Sequence, residues 1–151
     1  MQYAIIGAGG TGGVVGYFMT KAGKDVTLIA RGRHLEAMKE HGLTLERLWD
    51  PNPETIAVKA TDMEHYKEQP DVILVCVKGY SLEDTVPFIR RVAKPDTIVI
   101  PILNIYGTGA KLQKELPELL VTDGCIYVSA NIKDSALMTA DVMISQNITI
   151  Y

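Results

Sequence analysis

A chain of 151 residues, 47% hydrophobic and 22% charged, has the balance of a soluble globular protein and the length of one ordinary domain; disorder and a second full domain are both excluded. The formal net charge of −3 and pI near 5.6 give no broad basic surface, so nucleic acid is not expected as a partner. No charged leader precedes an apolar stretch and no apolar run approaches the ~20 residues of a membrane span, so no membrane is expected and a cytoplasmic location follows by default.

Apolar β-rich runs alternate with helix-period segments along the chain, the pattern of a parallel sheet covered by helices. Residues 3–6 form the first predicted strand, and Val14, Val15, Phe18, Met19 and Ala22 then recur at helical spacing, with Gly23 placed for a left-handed C-cap. A second strand spans 25–30 and a short helix 35–40. Residues 42–59 read as a peripheral hairpin turning at the WDPNP stretch, with Trp49 packed in its core. The next strand spans 72–77, followed by a helix N-capped at Ser81 and running to Ala93, with Glu83 and Asp84 in its first turn. Residues 97–102 form a fourth strand, 108–116 a helix stopped by Pro117, and 119–122 or 124–130 a fifth strand. Alternation over 140–151 suggests edge strands. The uninterrupted apolar character of VILVCV and TIVIPIL marks strands buried on both faces. The expected fold class is therefore α/β, a Rossmann-type doubly wound, mostly parallel sheet with helices on both faces. Cys76 and Cys125 each lie in an apolar run and are expected to be buried thiols rather than a disulfide.

Gly7, Ala8, Gly9, Gly10, Thr11 and Gly12 spell G-x-G-x-x-G between the first strand and the first helix. In that context Gly7 permits the tight turn, Gly9 lets a pyrophosphate approach the backbone, and Gly12 lets helix and strand pack closely. Helix-start amides and the positive end of the dipole would then face the phosphates. About 20 residues further on, an NAD site places Asp or Glu on the ribose and an NADP site accommodates the extra phosphate with Arg. This chain has Arg31 there, followed by Arg33 and His34, with no acid before Glu36. A guanidinium binds phosphate bidentately and keeps its proton, so NADP(H) is the expected cofactor.

These residues resemble the N-terminal half of the ketopantoate reductase (2-dehydropantoate 2-reductase) family over nearly the whole chain. The resemblance is carried by GAGGTGG with Arg31, by VCVKGY with its strand-end lysine, and by LNIYGTG with its asparagine. It implies that Lys78 and Asn104 contact cofactor and substrate, and that Ala130, after the run 124–130, makes another cofactor contact. Both Lys78 and Asn104 lie beyond the carboxyl ends of strands, where open α/β sheets bind ligands. The implied chemistry is NADPH-dependent reduction of 2-dehydropantoate, a small 2-oxo acid, to pantoate on the route to pantothenate and coenzyme A. The chain departs from the family in placing Ile105 and Tyr106 between Asn104 and Gly107, where the family has asparagine followed directly by glycine. Members also carry a second, helical domain supplying the catalytic lysine, for which 151 residues leave no room. Residues 1–151 are thus expected to form a single NADP(H)-binding domain, without a catalytic residue of their own and inactive alone. His34, His41 and His65 are expected at the surface, and no metal-ligand spacing is present.

Two alternatives share most of these residues: a stand-alone module sensing the NADP(H) balance, and the cofactor domain of a reductase for another 2-oxo acid or an opine. An ending inside a predicted strand favours a truncated enzyme over a finished module. An apolar face left by a missing domain would allow a homodimer.

Overall fold

A computed structural model describes residues 1–47, 50–134 and 137–141. Six strands, β1 (Gln2–Ile6), β2 (Asp25–Ile29), β5 (Lys59–Thr61), β6 (Val72–Val75), β7 (Ile98–Pro101) and β8 (Leu120–Val121), form one sheet in the order β5-β2-β1-β6-β7-β8. Every pairing in it is parallel. The chain runs outward from β1 to one edge, returns to β6 beside β1, and runs outward to the other edge. The topological switch point therefore falls between β1 and β6, where such sheets open a crevice at their carboxyl ends.

Strand side chains alternate between two cores because successive residues point to opposite faces. Ala4, Ile6, Ile73, Val75 and Val99 join one core, shared with Ile89 of α3 (Val86–Val92) and Leu112 of α4 (Thr108–Glu115). Ile5, Leu28, Val72 and Leu74 join the other, shared with Val14 and Tyr17 of α1 (Gly10–Lys21) and Met38 of α2 (Gly32–His41). Ile5, Ile6, Leu28 and Ile73 are fully buried, and each such side chain stabilises the fold by about 1.5–3 kcal/mol relative to exposure. The doubly wound α/β arrangement read from the sequence is present.

A second sheet covers the outer side of α1. The predicted hairpin exists as β3 (Leu43–Arg47) and β4 (Asp50–Ile56), but it is not peripheral: β9 (Ser129–Asp134) and β10 (Leu137–Asp141) complete a four-stranded sheet in the order β4-β3-β10-β9. Leu43 and Leu45 are fully buried and belong to the α1 core. Salt bridges from Lys21 to Glu54 and from Lys133 to Glu46 lace this sheet to α1 and across itself. Lys59, assigned to the hairpin from sequence, instead opens β5 of the main sheet.

Four further expectations need correction. Ser81 caps no helix: residues 79–81 and 83–85 form separate 3-10 turns, α3 starts only at Val86 with Pro87 in its first turn, and Glu83 pairs with Lys111 at 2.7 Å. The fifth strand of the main sheet is just Leu120–Val121, extended by a single bridge between Ile102 and Gly124; Ser129 and Ala130 begin β9 of the second sheet. Phe18 is 39% exposed while Tyr17 is fully buried, because α1 is covered from two sides and its buried face is wider than one stripe. Cys125 is exposed, since the run around it leaves the sheet after one bridge. Residues 140–141 belong to β10; Trp49 and the remainder of the run ending at 151 lie outside the described residues.

At the amino-terminal edge of the sheet, Asp71 accepts the Gln2 amide at 2.7 Å and pairs with Lys94. The Lys94 hydrogen bond, then the Gln2 amide, hold its carboxyl below the ordinary value of 3.8. A lowered folded-state value means that this contribution is complete above about pH 4 and disappears as pH falls through the lowered value. Asp71→Asn should therefore melt below the wild type at neutral pH, and thermal melts repeated down to about pH 2 should show the gap closing. A gap of constant size would contradict this role.

Candidate functional site

The glycine turn is built as its spacing predicts. Gly7 has φ +92°, and its amide bonds the Ile29 carbonyl at 3.0 Å, tying the turn to the end of β2. A Cβ at Gly12 would run into the Gly7 carbonyl oxygen, so only glycine lets α1 descend so close to the strand. Gly9 faces open space, with no atom within 4 Å of where a Cβ would stand. The first helical bond runs from the Gly13 amide to the Gly9 carbonyl at 2.7 Å, which leaves the amides of Gly10, Thr11 and Gly12 without helical acceptors. No acidic residue occupies the first turn of α1, so the positive end of its dipole is uncompensated locally and favours an anion.

The turn opens onto a cleft of about 730 Å³ at the carboxyl ends of the strands. Gly7, Gly9, Gly10, Thr11, Arg31, Lys78, Asn104 and Ala130 all line it, gathering side chains from five separate segments. Ala8 and Gly12 do not: both are buried behind the turn, Ala8 at 2% exposure. Arg31 is exposed at the end of β2, where it precedes α2 in extended backbone. Lys78 follows β6 and stands at the start of the first 3-10 turn, and Asn104 is exposed beyond β7. Ala130 reaches the cleft because β9 runs across the head of α1; its carbonyl sits where a Cβ on Gly10 would fall.

Several participants were not anticipated. His34 packs under the turn, its Nε2 2.6 Å from the Ala8 carbonyl oxygen. A carbonyl only accepts, so Nε2 is the donor and the first turn of α2 braces the glycine turn. The residue is half-buried rather than a surface histidine. Asp62, Met63 and Glu64 line the cleft beside Arg31, because β5 pairs with β2 and the Ala30 amide bonds the Thr61 carbonyl at 2.9 Å. Reading β5 as a sheet strand would have found them by the same rule that placed Lys78. The Asp62 carboxylate accepts the His65 amide and the His65 Nδ1–H, both at 2.8 Å, and these bonds hold its carboxyl below the usual aspartate range. Cys76 also lines the cleft, and burial pushes its thiol up to about 12. It is neutral at physiological pH and contributes apolar surface rather than a nucleophile. No group of side chains among the described residues could hold a metal ion, and no helix among them is long and apolar enough to cross a membrane.

The sequence pattern of the family described as Ketopantoate reductase PanE/ApbA matches residues 3–147. The chain belongs to the ketopantoate reductase family. It is 34% identical over 114 residues to the 2-dehydropantoate 2-reductase of Pyrococcus horikoshii, covering 76% of this chain and 36% of that protein. Its fold superposes on the crystal structure of 2-dehydropantoate 2-reductase from Porphyromonas gingivalis W83 with a TM-score of 0.82 at 29% identity, over 95% of this chain and 52% of that one. It also matches D-mandelate dehydrogenase, solved as a ternary complex with NADH and anilino(oxo)acetate, with a TM-score of 0.84 at 25% identity, over 94% of this chain and 46% of that one. The chain thus spans about a third to a half of the length of these proteins.

Gly12, buried behind the turn, and Gly9, on its open side, differ in what a side chain would meet. Gly12→Ala should destabilise the fold by roughly the 1–3 kcal/mol typical of overpacking, since the colliding atom is backbone. Gly9→Ala, with ordinary φ −75° and open space outside, should leave the melting temperature nearly unchanged. Comparable losses in the two thermal melts would refute this division.

Proposed function

We propose that this chain is the dinucleotide-binding domain of a ketopantoate-reductase-type oxidoreductase and that it holds NADP(H). The observation that carries the proposal is the convergence, on one cleft, of uncapped helix-start amides, a guanidinium at the end of β2, and a lysine and an asparagine beyond β6 and β7. The donor set fits the cofactor: amides of Gly10 and Thr11 for the diphosphate, Arg31 for the adenosine phosphate, Lys78 and Asn104 toward the nicotinamide end. The open space outside Gly9 is where a diphosphate needs close backbone approach. NADPH supplies a hydride when bound.

The residues of this chain orient and neutralise. Arg31 follows β2 where an NAD site would carry an acid, and the nearby Asp62 carboxylate is occupied by His65. Of these, the arginine favours the phosphorylated cofactor over NADH. Lys78 offers three donors and a positive charge to a carboxylate or ribose, and Asn104 can donate and accept at the same end of the cleft. The reaction proposed for the whole protein is reduction of a 2-oxo acid, 2-dehydropantoate being the family's substrate. We place the proton donor outside this domain, in the additional length that the relatives possess. A second reading, reduction of a different 2-oxo acid, is favoured by Ile105 and Tyr106 standing where the family places glycine and by the likeness to D-mandelate dehydrogenase.

Calorimetric titration should show NADPH binding more tightly than NADH. Arg31→Ala should weaken NADPH by about ten- to a hundredfold, the range of one hydrogen-bonded charge contact, while sparing NADH; equal losses for both cofactors would sink the assignment of Arg31. His34→Ala should weaken both cofactors by about two- to tenfold through the loosened turn, the range of one neutral hydrogen bond. His34→Gln, which keeps a donor at similar reach, should recover most of that loss. Equal affinities in the two variants would remove His34 from the site.

A further inference from the structure

We propose that the Lys78–Asn104 end of the cleft is shaped for a 2-oxo acid bearing a flat, aromatic substituent, a substrate class bulkier and less polar than a hydroxylated aliphatic acid. The inference rests on the reading of the cleft as a nicotinamide site and specifies its neighbour. Lys78 is the cation among the described residues lining this end, and a carboxylate of a small acid has its natural partner there. Asn104 lines the same cleft with a carboxamide able to donate to a keto oxygen.

The surface next to these two polar groups is apolar. Val77 and Leu103 line the cleft and pack back onto the core beneath α3 and α4. Ile105 lines it too, and is 54% exposed. It leans over the turn after β6: a Cβ on Gly79 would collide with its Cδ1. Gly79 therefore lets Ile105 bridge the two strand ends from which Lys78 and Asn104 emerge. Tyr80, adjoining Gly79, lines the same cleft and is 85% exposed. A glycine after Asn104 would leave this shelf empty; isoleucine instead supplies a β-branched floor in a cleft that the Tyr80 ring also lines. A planar ring laid on Ile105 and edged by Tyr80 would cover both side chains and gain the offset or edge contacts that aromatic pairs prefer. A hydroxymethyl group in that place would leave most of this apolar surface uncovered. Asp84 also lines this end, which places a carboxylate where it repels a second acid group on the substituent and further favours a neutral ring.

The test uses the protein saturated with NADP+, saturation being established by calorimetry separately for each variant, and titrates two unreactive acids that differ only in the ring: oxamate and N-phenyloxamate. N-phenyloxamate should bind at least about tenfold more tightly. Ile105→Ala should reduce that ratio to within about threefold, and Ile105→Gly at least as far. Equal affinities, tighter binding of oxamate, a preference that survives in Ile105→Ala, or the failure of both acids to bind the NADP+-saturated protein would each overturn the inference and leave the cofactor assignment standing. Absence of NADP+ binding at the outset would instead bring down the cofactor reading and the inference with it.

Discussion

The approach of α1 to the end of β1 is the constraint from which the rest of the cleft follows. With no side chain at Gly12, the helix starts almost on top of the Gly7 carbonyl, and its unbonded amides point out of the sheet at the switch point rather than along its face. Any bulk at this contact would lift the helix, turn those amides away, and separate the turn from the β2 carbonyl at Ile29 that holds it. The turn's preference for an anion is thus a property of backbone placement, and around it the cleft sets Arg31 and Lys78 from neighbouring strand ends against Asp62, Glu64 and Asp84. The cleft owes its polarity to where the strands stop.

Much of this was legible in the sequence because it depends on local rules. Near-continuous apolar runs gave β6 and β7 their buried, parallel character, and Gly7, Gly10 and Gly12 each have a steric job in the fold that no other residue performs. The second sheet was illegible for the opposite reason. Its β3 pairs with β10 across some ninety positions of sequence, and neither hairpin alone says what it covers. The β5 segment is only three residues long, too short for a period-2 signal, so the Asp62–Glu64 part of the cleft was missed with it. Ser81 and the acids after it made a persuasive helix start, yet the chain forms 3-10 turns there because it must bring Lys78 and Tyr80 to the cleft before α3 can begin beneath the sheet. Here the tertiary demand outweighed the local signal.

The site divides into a rigid half and an adaptable half. The glycine-turn side consists of backbone braced by His34 from below and by the Ala130 carbonyl from above. The other side consists of side chains on short connections, Lys78, Tyr80, Asn104 and Ile105, whose identity can change without altering the sheet. Such a division would let one scaffold keep its anion-binding turn while the opposite end of the cleft changes.

The route of the chain from β8 to β9 has a consequence for how occupancy and cohesion are related. After leaving the far edge of the main sheet at Gly124, the backbone crosses to the opposite side of the fold and sets Ala130 against the first residue of α1. The two sheets therefore meet at the mouth of the helix, with Gly10 as the spacer between them. An anion resting there touches both halves of the molecule at once, so its binding energy would be felt as adhesion between them rather than as the tightening of a single loop.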